Sequence, residues 1–422
     1  MSMHRIQSLR ITNLWGYKSI DLAFFPDVTI LIGENGTGKT TILNVLRGIL
    51  TADTSLFAYD FTDAAVELAS FSDGSTKVIS VSRGKDGLRF CLPDQNFLLR
   101  PGSTGEAAQI SLWTLYGRPE RGTDLENALQ LLTHLEWLPV NRRLPVQDDD
   151  HSHGYTFVNR PKRLESVDQR LTELLGELSA FRLSLDSKVS DHYRVFERKV
   201  LAAILYRADF DSLGALKNER MPSVADREEL ERVFDEVGIL NAEMKTRIHQ
   251  HFAEAKESLR NLQKDRNWDI DDLFVIPLIR RTQSLVAWAR TLRSERESLF
   301  APLRRYEAIV NDFFSNKQAV IQNDGQLAIA YTGTATRDRF PVDLLSSGEK
   351  QILILLTAAL LRAEAPVVYL ADEPELSLHV SWQEKLLQSL VDLGGAIQVV
   401  VATHSPDIVG PFHDNIIELP RE

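Results

Sequence analysis

Residues 33–40 read Gly33-Glu34-Asn35-Gly36-Thr37-Gly38-Lys39-Thr40, directly behind the apolar run Val28-Thr29-Ile30-Leu31-Ile32. They precede Ile42, Leu43, Val45, Leu46 and Ile49, apolar positions at helical spacing. A buried strand, a glycine-rich turn and a helix in that order is the setting of a phosphate-binding P-loop. The glycines let the backbone curl so that its N–H groups converge on phosphate oxygens, and the helix start adds its positive dipole end. The pattern makes Asn35, Gly36, Thr37, Gly38, Lys39, Thr40 and Thr41 the candidate residues for binding ATP. Lys39 is expected to neutralise the β- and γ-phosphates, and the Thr40 hydroxyl to face Mg²⁺.

Three later segments carry polar residues where a site would need them. In Leu344-Leu345-Ser346-Ser347-Gly348-Glu349-Lys350-Gln351, small residues open an apolar helix. The sequence leaves two readings open: Ser346, Ser347, Gly348 and Glu349 contact a phosphate through free N–H groups and a hydroxyl, or Ser346 and Glu349 form a helix-capping box. Val367-Val368-Tyr369-Leu370-Ala371-Asp372-Glu373-Pro374 is an apolar strand ending in two acids. Adjacent strand residues point opposite ways, so both carboxylates can serve one site only if the chain bends past the strand end. Asp372 is then expected on Mg²⁺ and Glu373 on the attacking water; the alternative is a strand end capped by solvated acids. Gln398-Val399-Val400-Val401-Ala402-Thr403-His404-Ser405-Pro406 again delivers a polar residue, His404, to the end of an apolar strand. His404 is expected to sense a γ-phosphate, against a purely structural role.

A single cysteine, Cys91, excludes an intrachain disulfide and points to a reducing, cytoplasmic setting. The N-terminus has no signal-peptide pattern and no window has the apolar length of a membrane span. The net charge of −11 argues against sequence-independent DNA binding over the whole surface, though not against a local basic patch. Strands are expected at residues 6–11, 22–25, 28–32 and 135–140, and a hairpin at residues 76–82 and 88–92. From Leu164 to Ile204, apolar residues recur at spacings of three and four, as in a long coiled-coil-like helix. A second stripe runs from Leu230 to Leu262 and a third from about Leu285 to Val310. The expected fold is α/β, with an N-terminal lobe at residues 1–160, a helical insertion at 161–315 and a C-terminal lobe at 316–422. The polar stretch at residues 147–154 reads as an acidic loop rather than a metal site, since no further ligand spacing follows it.

In order and spacing, these motifs resemble the ATP-binding-cassette ATPases of the SMC, Rad50 and RecF type. The resemblance rests on Gly33 to Thr40, Leu345 to Glu349, Val367 to Glu373, Ser377 to His379 and Thr403-His404-Ser405. It implies an ABC-type head, with a mixed N-lobe sheet and a parallel P-loop core, and a coiled-coil insertion. It also implies ATP hydrolysis with Mg²⁺, expected to be slow if the site is a switch, and at least a homodimer in which Ser346 and Gly348 meet the nucleotide of a second copy. Two signature positions depart from the common pattern, Ser347 and Glu349, as in the SMC-like branch. No glutamine loop is evident; Arg142 either stands in for it or is a surface residue. Trp15 and Tyr17 lie where an adenine would approach, with core packing the favoured reading.

More narrowly, Asp372-Glu373-Pro374-Glu375-Leu376-Ser377-Leu378-His379 and Thr403-His404-Ser405-Pro406 are similar to standalone ATPases of bacterial defence systems and of OLD nucleases. The nearest type is the AriA ATPases of PARIS anti-phage systems. That likeness implies a separate Toprim-like nuclease effector as partner, released when a phage-encoded trigger protein is sensed. The competing expectations are a DNA repair ATPase that clamps duplex DNA, which the net acidity disfavours, and a transporter's nucleotide-binding subunit, which the helical insertion disfavours.

Overall fold

The computed structural model describes residues 3–93, 95–100, 124–138, 166–212, 220–236, 240–263, 269–332 and 339–420. The chain divides into two compact units, Met1–Phe181 with Leu303–Glu422, and Arg182–Pro302.

The first unit is built on two principal sheets. Strands β1 (His4–Leu14) and β2 (Lys18–Ala23) belong to an antiparallel sheet, separated in sequence by β3 (Val28–Ile32) from its remaining members. These are β4 (Asp63–Ser70), β5 (Thr76–Gly84), β6 (Gly87–Cys91) and β7 (Asn96–Leu99), giving the order β2-β1-β4-β5-β6-β7. Its inward positions alternate with exposed ones, as expected of a sheet covered on one face. The second sheet is wholly parallel, with β3 between β14 (Ile416–Glu418) and β13 (Ile397–Thr403), followed by β12 (Val367–Asp372) and β8 (Leu135–Leu138). β12 and β13 are buried at every position, so their sequences read as unbroken apolar runs rather than alternations.

Helix α1 (Lys39–Thr51) lies in the core between the two sheets. Ile42, Leu43, Val45, Leu46 and Ile49 share one apolar cluster with Leu9, Ile11, Val66 and Leu68 of the antiparallel sheet and Leu31, Val368, Leu370 and Val400 of the parallel one. α2 (Asp124–Gln130) adds Leu125 and Leu129 to that cluster. A polar stitch crosses the same boundary. Buried Gln398 donates to the carbonyls of Ile6 (2.7 Å) and Phe25 (2.8 Å) and accepts from the Ile6 N–H at 2.7 Å. A fully satisfied amide inside an apolar strand fixes how the sheets face each other more narrowly than side-chain packing alone would.

Among the described residues, α3 (Ser166–Ala202), α4 (Val224–Glu236), α5 (Ala242–Gln263) and α6 (Ile270–Phe313) follow. Within the second unit α3 and α6 run antiparallel. His192 of α3 pairs with Glu295, Arg182 stacks on Phe300, and the Ala203 carbonyl accepts from Arg281. α6 begins 15 residues before the expected Leu285 and continues through Pro277 and Pro302. A proline removes one helical hydrogen bond and crowds the preceding turn. Here burial of Ile276 and Ile279 beside Pro277 holds the helix together. In the first unit, the basal turns of α6 pack on α7 (Ser347–Arg362), where buried Tyr306 shares a hydrogen bond with Thr357 at 2.7 Å. A small antiparallel sheet of β9 (Lys317–Ile321), β10 (Leu327–Tyr331) and β11 (Arg339–Phe340) precedes α7. α8 (Val380–Leu393) then joins β12 to β13.

The expected strands and hairpin are present where described, with ends shifted by a few residues; the strand expected at 22–25 is β2, which starts at Lys18 and stops at Ala23. β4, β7 and the two-residue β11 are strands beyond the expected set. Arg142 and the acidic stretch at 147–154 lie outside the described residues. Among the described residues, no group of three or more His, Cys, Asp or Glu is arranged to hold a metal, and no helix is long and apolar enough to cross a membrane.

Candidate nucleotide site

The turn after β3 has the conformation its glycines allow. Gly36 and Gly38 sit at φ 88° and 96°, left-handed values that a side chain would strain. Gly38 also caps α1, and a Cβ on it would fall 2.7 Å from the ring of Trp15. Trp15 and Tyr17 are therefore not core residues, contrary to the favoured sequence reading: they are 37% and 67% exposed, with ring centroids 6.3 Å apart. The aromatic pair borders the loop because the β1–β2 turn, with Asn13 and Trp15 at positive φ, carries it there.

Lys39 is buried and its ammonium donates to the carbonyls of Gly33 (2.7 Å) and Glu34 (3.1 Å). Burial pushes its pKa below the ordinary lysine value, against the pull of Glu373, Asp372 and Glu375. The next residue links two strand ends, with the Thr40 hydroxyl donating to Asp372 Oδ1 at 3.1 Å. The bend that both carboxylates require is present. β12 stops at Asp372, and Glu373 takes φ 51° while its N–H still pairs with the Ala402 carbonyl at 2.7 Å. His404, one residue past β13, lies between the two elements. Its Nδ1 is 3.4 Å from Lys39 Nζ and its Nε2 is 3.7 Å from Glu373 Oε1. Lys39, Thr40, Asp372, Glu373 and His404 thus meet at the C-terminal ends of three parallel strands, where α/β sheets place ligands. Asn35, Gly36 and Thr37 form the loop beside them, and Thr41 belongs to the first turn of α1.

Mg²⁺ takes few protein ligands, all oxygen, and completes its shell with water and phosphate. The adjacent Thr40 hydroxyl and Asp372 carboxylate are a donor set of that kind.

The residues at the start of α7 have other partners. Ser346 and Glu349 form the complete capping box, in which the Ser346 N–H and hydroxyl reach Glu349 Oε2 at 2.8 and 2.9 Å. Lys317 holds the same carboxylate at 2.8 and 3.0 Å and lies over the Phe340 ring. Burial pushes the Glu349 carboxyl up, but Lys317 and the Ser346 donors outweigh it and hold the group below its ordinary value. Ser347 opens the helix, and Gly348 follows against the Ser377 carbonyl, 2.7 Å from where a Cβ would stand.

For one residue the sequence gives the place beside the site but not the role. Glu375 is buried beside Thr403, whose hydroxyl donates to Glu375 Oε1, while Oε2 has no partner at ordinary hydrogen-bond geometry among the described residues. Burial pushes its carboxyl up; Thr403 and the backbone N–H groups of Glu375, His404 and Ser405 pull the other way. The only signal was a third acid two positions after Glu373, which an exposed loop also accommodates.

Comparison with known proteins follows the same lines. Residues 28–410 match the family described as "AAA domain, putative AbiEii toxin, Type IV TA system". The chain is 22% identical over 429 residues to "Retron Vc95 probable ATPase" of Vibrio cholerae serotype O1 biovar El Tor, covering 98% of this chain and 73% of that protein. It is 20% identical over 435 residues to "Retron Ec83 probable ATPase" of Escherichia coli, covering 96% and 69%. Among solved structures, it is similar to the Smc head domain of Pyrococcus furiosus in complex with the C-terminal domain of ScpA, with a TM-score of 0.43, 14% identity and coverage of 99% and 93%. The SMC head domain of Thermotoga maritima gives a TM-score of 0.39, 11% identity and coverage of 96% and 91%.

Proposed function

The chain belongs to the AAA domain family described as putative AbiEii toxins of type IV toxin–antitoxin systems, and on that footing we propose that it is a Mg·ATP-driven switch in bacterial anti-phage defence. One observation carries the nucleotide reading: the loop lysine, its neighbouring hydroxyl, two carboxylates and a histidine converge from β3, β12 and β13.

In this proposal Lys39 and the N–H groups of residues 35–41 take the β- and γ-phosphates, and Trp15 with Tyr17 borders the base. Thr40 and Asp372 hold Mg²⁺, which neutralises phosphate charge when bound. Glu373 orients and polarises the attacking water. His404, between Lys39 and Glu373, faces the γ-phosphate and reports its presence. Ser346 and Gly348 face the nucleotide of a second copy, so the working unit is at least a dimer.

The defence role is supported by the family description and by the two retron ATPases. The sequence likeness to AriA-type ATPases extends it: the ATPase holds a separate Toprim-like nuclease and releases it on sensing a phage protein, with slow turnover. Co-purification with the products of adjacent genes, with and without Glu373→Gln, tests this. A stoichiometric nuclease partner supports it; DNA-stimulated hydrolysis with no protein partner favours a DNA-clamping ATPase instead.

A further inference from the structure

Beside the contacts of its ring with Lys39 and Glu373, His404 is flanked by two residues that are themselves held in place. On one side, the Thr403 hydroxyl donates to Glu375 and accepts from the Ser405 N–H at 2.9 Å. On the other, the Ser405 hydroxyl donates to Gln383 Oε1 at 2.6 Å, and Gln383 Nε2 donates to the Leu378 carbonyl at 3.0 Å. Glu375 and Gln383 lie on the segment that begins with Glu373. That segment is itself folded tightly: Leu376 N–H bonds the Glu373 carbonyl (3.1 Å), and Leu378 N–H bonds the Glu375 carbonyl (2.9 Å). The residues on both sides of His404 are therefore pinned to the same short stretch that carries Glu373.

The cost of this arrangement is visible. Glu375 is 7% exposed, Thr403 is fully buried, and one Glu375 oxygen is buried with no partner at ordinary hydrogen-bond geometry among the described residues. Leaving a polar atom unpaired away from water is expensive, and such a group calls for an explanation. Resting on the nucleotide-site reading above, we propose that Glu375 and Gln383 are positioning residues, a two-point brace that sets the His404 ring between Lys39 and Glu373. The segment also passes Ser377, whose carbonyl touches Gly348 at the start of α7.

The test uses the full-length protein with Thr403→Val, Thr403→Ser, Glu375→Ala and the Glu375→Ala/Thr403→Val double variant. Valine keeps the volume of threonine and removes the hydroxyl; serine keeps the hydroxyl. Thr403→Val and Glu375→Ala are each expected to lower kcat for Mg·ATP roughly 10- to 100-fold, the scale of a small misplacement in an active site. KM should stay within about twofold, Thr403→Ser should keep most of kcat, and the double variant should lose little beyond the worse single one. In parallel, the ring resonances of ¹⁵N-labelled histidine, assigned with His404→Gln, should move in Thr403→Val and stay in place in Thr403→Ser. Should Glu375→Ala fail to fold, the valine and serine pair at position 403 decides. Folded Thr403→Val with wild-type kcat and an unmoved His404 resonance overturns the brace. If wild-type protein neither binds nor hydrolyses ATP, the nucleotide reading fails instead. The His404 resonance still tests the brace in that case, since it needs no ligand.

Discussion

The P-loop end of the parallel sheet and the start of α7 are both helix openings that carry glycine and hydroxyl side chains in an apolar setting, yet their polar groups are used in opposite ways. At the start of α7 the side chains satisfy one another: Ser346 caps the helix, Glu349 completes the box and Lys317 neutralises it. At the P-loop the left-handed glycines turn backbone around a cluster drawn from three strands. There Lys39 is held by loop carbonyls with His404 alongside, and Glu373 is bent into place at positive φ. The first arrangement is what a stable helix needs by itself. The second concentrates like charges, a buried cation and backbone strain, which a fold tolerates where it does chemistry.

This contrast separates loss of chemistry from loss of stability. Glu373→Gln should reduce kcat by about 10³-fold, within the range for a general base, while calorimetry finds ATP binding intact; wild-type turnover would remove Glu373 from the site. Glu349→Gln should act mainly on stability. It leaves the Lys317 ammonium, only 11% exposed, without its countercharge, at a cost of about 3 kcal/mol read from urea unfolding. An unfolding midpoint unchanged in this variant would mean that the pair contributes little. Within one subunit Ser346→Ala removes the cap, for about 1 kcal/mol, with ATP affinity of the single subunit unaltered. A drop in that affinity would move Ser346 into the site of its own chain.

The smallest effect concerns pH. Glu349 has its folded pKa depressed below the ordinary 4.5. Its contribution to stability is complete above that value and is lost as pH falls through the lower, folded pKa. The stability difference between wild type and Glu349→Gln should thus shrink below about pH 4.5 and stay flat between pH 6 and 8, as unfolding at graded pH will show.

Much of this was legible in the chain because the information is local. A strand, a glycine turn and a helix occupy consecutive residues from Val28 to Ile49, and the apolar runs ending in Asp372 and Thr403 announce buried parallel strands. The bend at Glu373 was legible as a requirement, because two adjacent acids cannot otherwise face one site. What escaped depends on distant partners. Gln398 looks like a flaw in a strand until the carbonyls of Ile6 and Phe25 arrive from elsewhere in the chain. Glu375 looks like a surface acid until Thr403 covers it. The start of α6 was hidden by Pro277, whose local propensity opposes a helix that burial of its neighbours sustains. Trp15 and Tyr17 were assigned to the core because aromatic residues usually go there, whereas a turn at positive φ carries them to the loop.

Titration of Mg·ATP into the wild-type protein and into Lys39→Ala, followed by calorimetry, addresses the nucleotide site most directly. Saturable binding by the wild type, weakened at least about 100-fold by loss of the buried ammonium, is the expected result. Equal binding by the two proteins, or none by a folded wild type, would contradict it.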